Sequence, residues 1–148
     1  MTKRFLTLAL ALMATTALFA QSQTAKTEAP KGKALTLLQG TWVFTSMNGQ
    51  DTAGGPEILV TITDNKYVQT IGGEVVERGT FKIDETKKPM TMDLSITEGD
   101  SAGKSQVGVF DVTDTKMTAK LAEAGETTRP TNLNQEDGFF IIVATKKK

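Results

Sequence analysis

Four pairs of acidic residues have the type and spacing that acid–base chemistry or binding of a hard cation would need. They are Asp84-Glu85, Glu98 with Asp100, Asp111 with Asp114, and Glu136-Asp137. Each pair lies at a predicted turn beside Gly, Thr or Lys, where acidic side chains stabilise the backbone through local hydrogen bonds. We therefore interpret these acids as turn formers, and we predict neither a metal site nor a cofactor.

The sequence contains no histidine and no cysteine. This composition excludes Ser-His and Cys-His nucleophiles as well as histidine and thiolate metal sites. The segment 99–105 (GDSAGKS) is one residue short of a phosphate-binding loop, and no helical pattern follows it. We predict that the protein is not an enzyme; a carboxylate-dependent enzyme is the remaining catalytic alternative.

Residues 1–20 have the three-part layout of a secretory signal peptide. Lys3 and Arg4 precede an apolar stretch from Phe5 to Phe19, and Ala20 offers a small residue for cleavage. An uncleaved anchor helix is the alternative, although the apolar stretch is short for a membrane span. We expect an exported protein, periplasmic or secreted, with no stable membrane anchor after cleavage.

The polar residues 21–33 (QSQTAKTEAPKGK) predict a disordered linker, and residues 34–148 predict a single domain. The whole chain has 17 basic and 17 acidic residues. Removal of Lys3 and Arg4 with the signal leaves a net charge of about −2 on the mature chain, so no basic surface is expected to attract nucleic acid. We expect a monomer without a nucleic-acid partner.

A period-two alternation of apolar and polar residues dominates the domain, which indicates half-buried strands. Met90–Thr97 is the clearest case, with Met90, Met92, Leu94 and Ile96 on one face. The Gly72-Gly73 pair predicts a tight hairpin, and Gly79 marks a bulge or bend. A short helical turn is predicted over 34–39, ending at Gly40. The eight predicted strands span 41–47, 57–63, 66–71, 74–84, 90–97, 105–112, 116–121 and 139–145.

Short connections between successive strands favour antiparallel neighbours, and eight such strands can close into an up-and-down barrel. The fold prediction is therefore an all-β, eight-stranded antiparallel barrel with a short N-terminal helical turn; a two-sheet sandwich is the alternative. A barrel of this size either holds one small ligand or is filled by its own side chains. The predicted interior residues, which would line either a pocket or a solid core, are Trp42, Phe44, Tyr67, Phe81, Met92, Leu94, Phe110, Met117 and Ile141.

Several short motifs occur in a fixed order through the domain: LQGTW at 38–42, GTFKID at 79–84, KP at 88–89, GVF at 108–110 and RPT at 129–131. In this order and spacing they resemble the lipocalin-like domain of uncharacterised exported bacterial proteins. The resemblance implies a lipocalin-like barrel in which Gly40 turns the chain into the first strand and Trp42 plugs the closed end. It also makes Arg129 the candidate cation over the Trp42 ring. The alternative is that Trp42 is an ordinary core residue and Arg129 a surface residue.

The leading functional hypothesis is a non-enzymatic exported binding protein for a small apolar or amphipathic molecule. The alternative is a cell-envelope or extracellular module with a solid core that contacts a protein or polysaccharide. The last strand motivates the alternative, because Phe140 and Ile142 on one face oppose Phe139, Ile141 and Val143 on the other, so that one apolar face must point outward.

Overall fold

The computed structural model describes residues 32–148. The predicted signal peptide and residues 21–31 of the predicted linker lie outside this range. One short helix, α1 (Lys33–Leu38), precedes nine strands. The strands are β1 (Gly40–Met47), β2 (Gln50–Asp51), β3 (Ile58–Thr63), β4 (Lys66–Ile71), β5 (Glu74–Asp84), β6 (Met90–Glu98), β7 (Ser105–Val112), β8 (Lys116–Ala122) and β9 (Phe139–Lys146).

Eight of these strands form a closed antiparallel barrel, as the alternation of the sequence predicts. Each strand from β3 to β9 pairs with its neighbour in the chain, β3 pairs with β1, and β9 returns to pair with β1. The closing register joins Trp42 to Lys146 and Phe44 to Ala144. Because the first and last strands pair, the two-sheet sandwich is wrong.

The ninth strand, β2, is a two-residue extension of the barrel that the alternation does not predict. Asn48 and Gly49 both have positive φ, at 50° and 77°, and they reverse the chain so that Ser46 pairs with Asp51. Two positive φ values are the geometry of a tight primed turn, for which Asn-Gly is the preferred pair.

Two predicted irregularities are confirmed. Gly72 and Gly73 take positive φ values of 59° and 89° in the tight β4–β5 hairpin. The register of β5 against β6 shifts between Arg78 and Gly79, so Gly79 lies at a bulge. A bulge increases local twist and bends the strand, which helps a sheet to close into a barrel.

Helix α1 covers one end of the barrel, which we call the helix end. Gln39, at its C-terminus, accepts a hydrogen bond from Asp64 N (2.7 Å) and donates one to Asp64 O (3.1 Å) in the β3–β4 turn. At its N-terminus, Ala34 N donates to Glu85 Oε2 (2.9 Å) in the β5–β6 turn. The opposite end, which carries the Gly72-Gly73 hairpin and the long β8–β9 connection, is the open end.

The β8–β9 connection, residues 123–138, folds along the outer wall of the barrel. The Arg129 guanidinium donates to Gly108 O (2.8 Å) and Met92 O (3.1 Å) and pairs with Asp93. Lys120 reaches outward from β8 to Glu136 in this connection. These contacts fix the segment to β6, β7 and β8. Within residues 32–148, no helix has the length and hydropathy that crossing a membrane would require.

Candidate functional site

The barrel interior contains a cavity of about 190 Å³. It is lined mainly by apolar side chains from β1, β3, β5, β6, β8 and β9, and it also has a polar corner. The apolar lining is Phe44, Met47, Val60, Ile62, Phe81, Met92, Leu94, Met117, Ala119, Leu121, Phe140 and Ile142; the polar lining is Tyr67, Gln69, Glu77 and Gln106. Six of the nine predicted interior residues therefore line this cavity: Phe44, Tyr67, Phe81, Met92, Leu94 and Met117.

Two aromatic residues of the core pack apart from this cavity. Trp42 and Phe110 are completely buried and do not line it, although both belong to the same hydrophobic core. Trp42 Nε1 donates to Leu38 O (2.8 Å) at the end of α1, so the indole is held beneath the helix. The predicted place of Trp42 at the closed end of the barrel agrees with this geometry.

The cation over the Trp42 ring is Lys146 and not Arg129, so that expectation is wrong. Lys146 Nζ lies 5.0 Å from the centroid of the indole and donates to Leu37 O (2.9 Å). Lys146 ends β9 directly opposite Trp42 in the closing register, which gives it this position. Arg129 is instead held on the outer wall by the carbonyl groups of Met92 in β6 and Gly108 in β7.

Ile141 faces outward, contrary to the prediction. Residues directly opposite each other in an antiparallel pair share a face, and β9 opposes Phe44 with Ala144 and Ala119 with Ile142. Ile142 and Phe140 therefore point into the barrel. Because β9 is apolar on both faces, its sequence pattern contained no information about which face is inside.

A tyrosine–carboxylate pair forms the polar corner of the cavity. Tyr67 is 5% exposed, and its hydroxyl donates to Glu77 Oε1 (2.8 Å). Burial raises the pKa of the Tyr67 phenol well above its usual value, and the hydrogen bond to Glu77 and the charge of that carboxylate raise it further. Tyr67 is thus a neutral donor, and the second carboxylate oxygen of Glu77 is left for another partner.

Two amides also line the cavity. Gln69 lies on β4 on the same face as Tyr67 and directly opposite Glu77 in the β4–β5 register, so it belongs to the polar corner. Gln106 lines the cavity from β7 and donates from Nε2 to Ala122 O (3.1 Å), which fixes its orientation. The polar lining therefore combines one carboxylate, one phenol and two amides, with no basic side chain.

A larger groove, of about 460 Å³, lies outside the barrel between α1 and the β5–β6 and β7–β8 turns. Its lining includes the charged side chains of Lys33, Glu85 and Asp114 together with Ala34 and Leu37. Specific sites for small molecules are concave and mostly apolar, with a few polar groups placed to fix orientation. The interior cavity matches that description better, so we treat it as the candidate site.

The acidic pairs singled out from the sequence are dispersed among turns and ion pairs. Asp84 Oδ1 accepts hydrogen bonds from the Thr86 hydroxyl and from Thr86 N, and these bonds lower the pKa of Asp84. Glu98 pairs with Arg78 (2.7 Å), and Glu136 pairs with Lys120 (2.7 Å). Among residues 32–148, no three acidic side chains converge in a way that could hold a metal ion.

Sequence reasoning missed Glu77, Lys120 and Lys146. Glu77 is the acid whose carboxylate reaches the cavity, yet in the sequence it stands in an unremarkable polar run, EVVER. The one available signal is alternation along β5: Glu77 lies two residues before Gly79 and four before Phe81, so all three side-chain positions share the inward face. Tyr67 points inward from β4, directly opposite Gly79. The bulge at Gly79 obscures this regularity, because the sequence does not specify where the register shifts.

Comparison with known proteins assigns neither a family nor a function to the chain. No protein-family model matches the chain, and neither the curated proteins nor the solved structures yield a match. The functional argument therefore depends on the geometry of this molecule.

Proposed function

We propose that the protein is an exported, non-enzymatic binding protein that holds a small, mostly apolar molecule inside its barrel. The observation that carries the proposal is the cavity between the open end and the solid plug around Trp42. Its lining is apolar except for one polar corner, which is the arrangement that orients an amphipathic ligand. The ordered motifs shared with lipocalin-like domains, together with the signal-like residues 1–20, support the same proposal.

The volume of the cavity sets the size of the ligand. Pockets for drug-sized molecules occupy about 300–1,000 Å³, whereas an engineered apolar cavity of about 150 Å³ in another protein binds benzene. At about 190 Å³, this cavity suits a single ring with a short side chain, or a short alkyl chain. A long-chain lipid would not fit inside the barrel as it stands.

The open end provides the route of entry. Phe140 lines the cavity and is 38% exposed, so it lies at the rim. Val75 and Val76, at 45% and 40% exposure, follow the hairpin at the same end. The large hydrophobic side chains classed as exposed in residues 32–148 are these three, which makes the open end the apolar entrance.

Filling the cavity from within tests the proposal. Ala119 lines the cavity and is 5% exposed, so Ala119→Leu places three further carbon atoms in the empty space. We expect calorimetric titration with 2-phenylethanol to show binding to the unmodified protein and at least about a tenfold loss of affinity in the variant. Its melting temperature should not fall, because the added side chain fills a void.

Val143→Leu is the matched control, since Val143 lies outside the cavity on the outward face of β9. It should bind 2-phenylethanol as the unmodified protein does. Absence of heat or of a melting shift with 2-phenylethanol and with other probes of this size would refute the proposal.

The alternative is an interaction module with a solid core, and it is motivated by an outward apolar face on the last strand. That face is not freely exposed. The outward apolar residues of β9 are Phe139, Ile141 and Val143, and all three are partly covered. Lys120 Nζ lies 5.0 Å from the centre of the Phe139 ring, which accounts for part of that cover. The outer face of β9 is therefore not a free apolar patch of the kind that marks an interface.

A further inference from the structure

We propose that the ligand is a small apolar amine, whose ring or chain fills the barrel and whose ammonium group binds the Glu77 carboxylate. This inference rests on the proposed binding function and specifies its ligand class. The observations behind it are the lining of the cavity, the charge at the open end and the aromatic side chains in the same cavity as Glu77.

Glu77 is the only ionisable carboxylate or cation among the residues that line the cavity, and it belongs to none of the ion pairs found in residues 32–148. Its Oε1 accepts from the Tyr67 hydroxyl. Its other oxygen has no cationic partner within the described chain. A partly buried carboxylate favours a positive partner, because charge-assisted hydrogen bonds are about twice as strong as neutral ones.

The charge around the open end has the same sign as Glu77. The acidic residues in the connections at this end and next to them are Asp51, Glu57, Glu74, Glu77, Glu98, Asp100, Glu123, Glu126, Glu136 and Asp137. Within those described segments, 48–57, 72–77, 98–104 and 123–138, the basic residues are Lys104 and Arg129. Three further cations from neighbouring strands, Arg78, Lys120 and Lys147, pair with Glu98, Glu136 and Glu57, which still leaves ten acids against five bases. A negative rim raises the local concentration of cations and repels anions.

The helix end has no such excess of acids. Its exposed lysines, Lys33, Lys66, Lys87, Lys88, Lys116 and Lys148, lie beside the acids Asp64, Asp84, Glu85 and Asp114, and Lys147 pairs with Glu57. The near-zero net charge of the chain is therefore unevenly distributed, with acids in excess around the open end.

Aromatic faces in the cavity suit a cation as well. Phe81, Phe44 and Tyr67 line the same cavity as Glu77, and the Tyr67 hydroxyl contacts its carboxylate. An ammonium group close to an aromatic face gains about 0.5–2 kcal/mol, depending on its desolvation. A fatty acid or another carboxylate would instead bring a second negative charge beside Glu77, with no lysine or arginine in the lining to neutralise it.

Three probes with the same ring and similar length, but different charge, test the assignment. Phenethylamine is cationic, 2-phenylethanol neutral and phenylacetate anionic at neutral pH. Calorimetric titration of the purified protein should show the amine binding at least about tenfold more tightly than the alcohol, with the carboxylate weakest. Equal affinity of amine and alcohol, or tighter binding of phenylacetate, would overturn the assignment while leaving the proposed binding function intact.

Glu77→Gln tests whether the Glu77 carboxylate binds the ammonium group. The substitution removes the negative charge, while the new amide oxygen can still accept the hydrogen bond from the Tyr67 hydroxyl. We expect this variant to bind the amine about 10- to 100-fold more weakly and the alcohol unchanged. Glu74→Gln removes the same charge from the same end but outside the cavity, and it should change amine affinity less than about twofold. Preference for the amine that persists in Glu77→Gln would refute the role of Glu77. Failure of all three probes to bind would refute the binding function itself.

Discussion

At the scale of single residues, the site depends on a glycine that makes room for an aromatic ring. A Cβ built on Gly79 would lie 2.7 Å from Tyr67 Cε1 and closer still to Ser95 O. Gly79 pairs directly with Tyr67 across β4 and β5. The absent side chain therefore lets the Tyr67 ring lie flat over β5, where its hydroxyl reaches Glu77.

Gly79→Ala should destabilise the barrel by about 1–3 kcal/mol, because the new methyl group must displace a ring and a backbone carbonyl. Chemical denaturation measures the change. Gly55→Ala is the control, since its nearest neighbour would be 3.5 Å away, and its effect should stay within about 0.5 kcal/mol. Equal stability of the two variants would show that the close contact at Gly79 is relieved without cost.

Lys120 is a second residue whose role follows from its surroundings. Its side chain is fully buried under the β8–β9 connection, and Nζ contacts Glu136 Oε2 (2.7 Å) and Asn132 Oδ1 (3.3 Å). Only the lysine of this pair is buried, since the Glu136 side chain is 54% exposed. Removal of Glu136 leaves the buried ammonium with the Asn132 amide oxygen alone, which is more costly than loss of an exposed pair.

Glu136→Ala should therefore lower the free energy of unfolding by about 1–3 kcal/mol, less than for a fully buried pair because Glu136 is partly solvated. Glu98→Ala breaks the exposed pair with Arg78, whose side chains are 44% and 60% exposed, and should change it by less than about 1 kcal/mol. Lys120→Met should be tolerated, because an unbranched apolar chain replaces the buried cation. Equal losses in Glu136→Ala and Glu98→Ala, measured by urea denaturation, would contradict this account.

At the scale of the elements, the sequence predicts the strands far better than it predicts where individual side chains point. Alternation predicts the barrel strands because, in most of them, one face is buried and the other meets water. In β9 both faces are apolar, so the alternation does not specify which face is inside, and the prediction that Ile141 points inward is wrong. The alternation also could not place Arg129 or Lys146, since their positions depend on how the chain closes.

The β8–β9 connection is an element whose order depends on a few polar contacts. Arg129 joins it to the Met92 and Gly108 carbonyl groups, which lie opposite each other in the β6–β7 register. Loop segments held by few contacts open locally at low free energy, independently of the core.

Arg129→Gln should accordingly increase hydrogen exchange in residues 123–138 while leaving β3 and β4 as protected as before. Mass spectrometry of the exchanged peptides gives the comparison. Arg78→Gln, which removes an arginine from an exposed pair, should leave exchange in 123–138 unaltered. Unchanged exchange of this segment in Arg129→Gln would show that other contacts hold it.

At the scale of the whole molecule, the barrel combines a packed plug beneath α1 with an interior cavity. Trp42, Phe110 and Leu38 are completely buried and do not line the cavity of about 190 Å³. The sequence left open whether the barrel is solid or hollow, because the same large apolar residues fill a core or line a pocket. Only the packing of the closed ring decides between them.

A xenon-pressurised crystal tests the hollow barrel most directly, because xenon enters apolar cavities without needing a specific partner. We predict one xenon site between Phe44, Phe81 and Leu121, and its loss in Ala119→Leu. Continuous side-chain density across that space, with no xenon bound in the unmodified protein, would contradict the account.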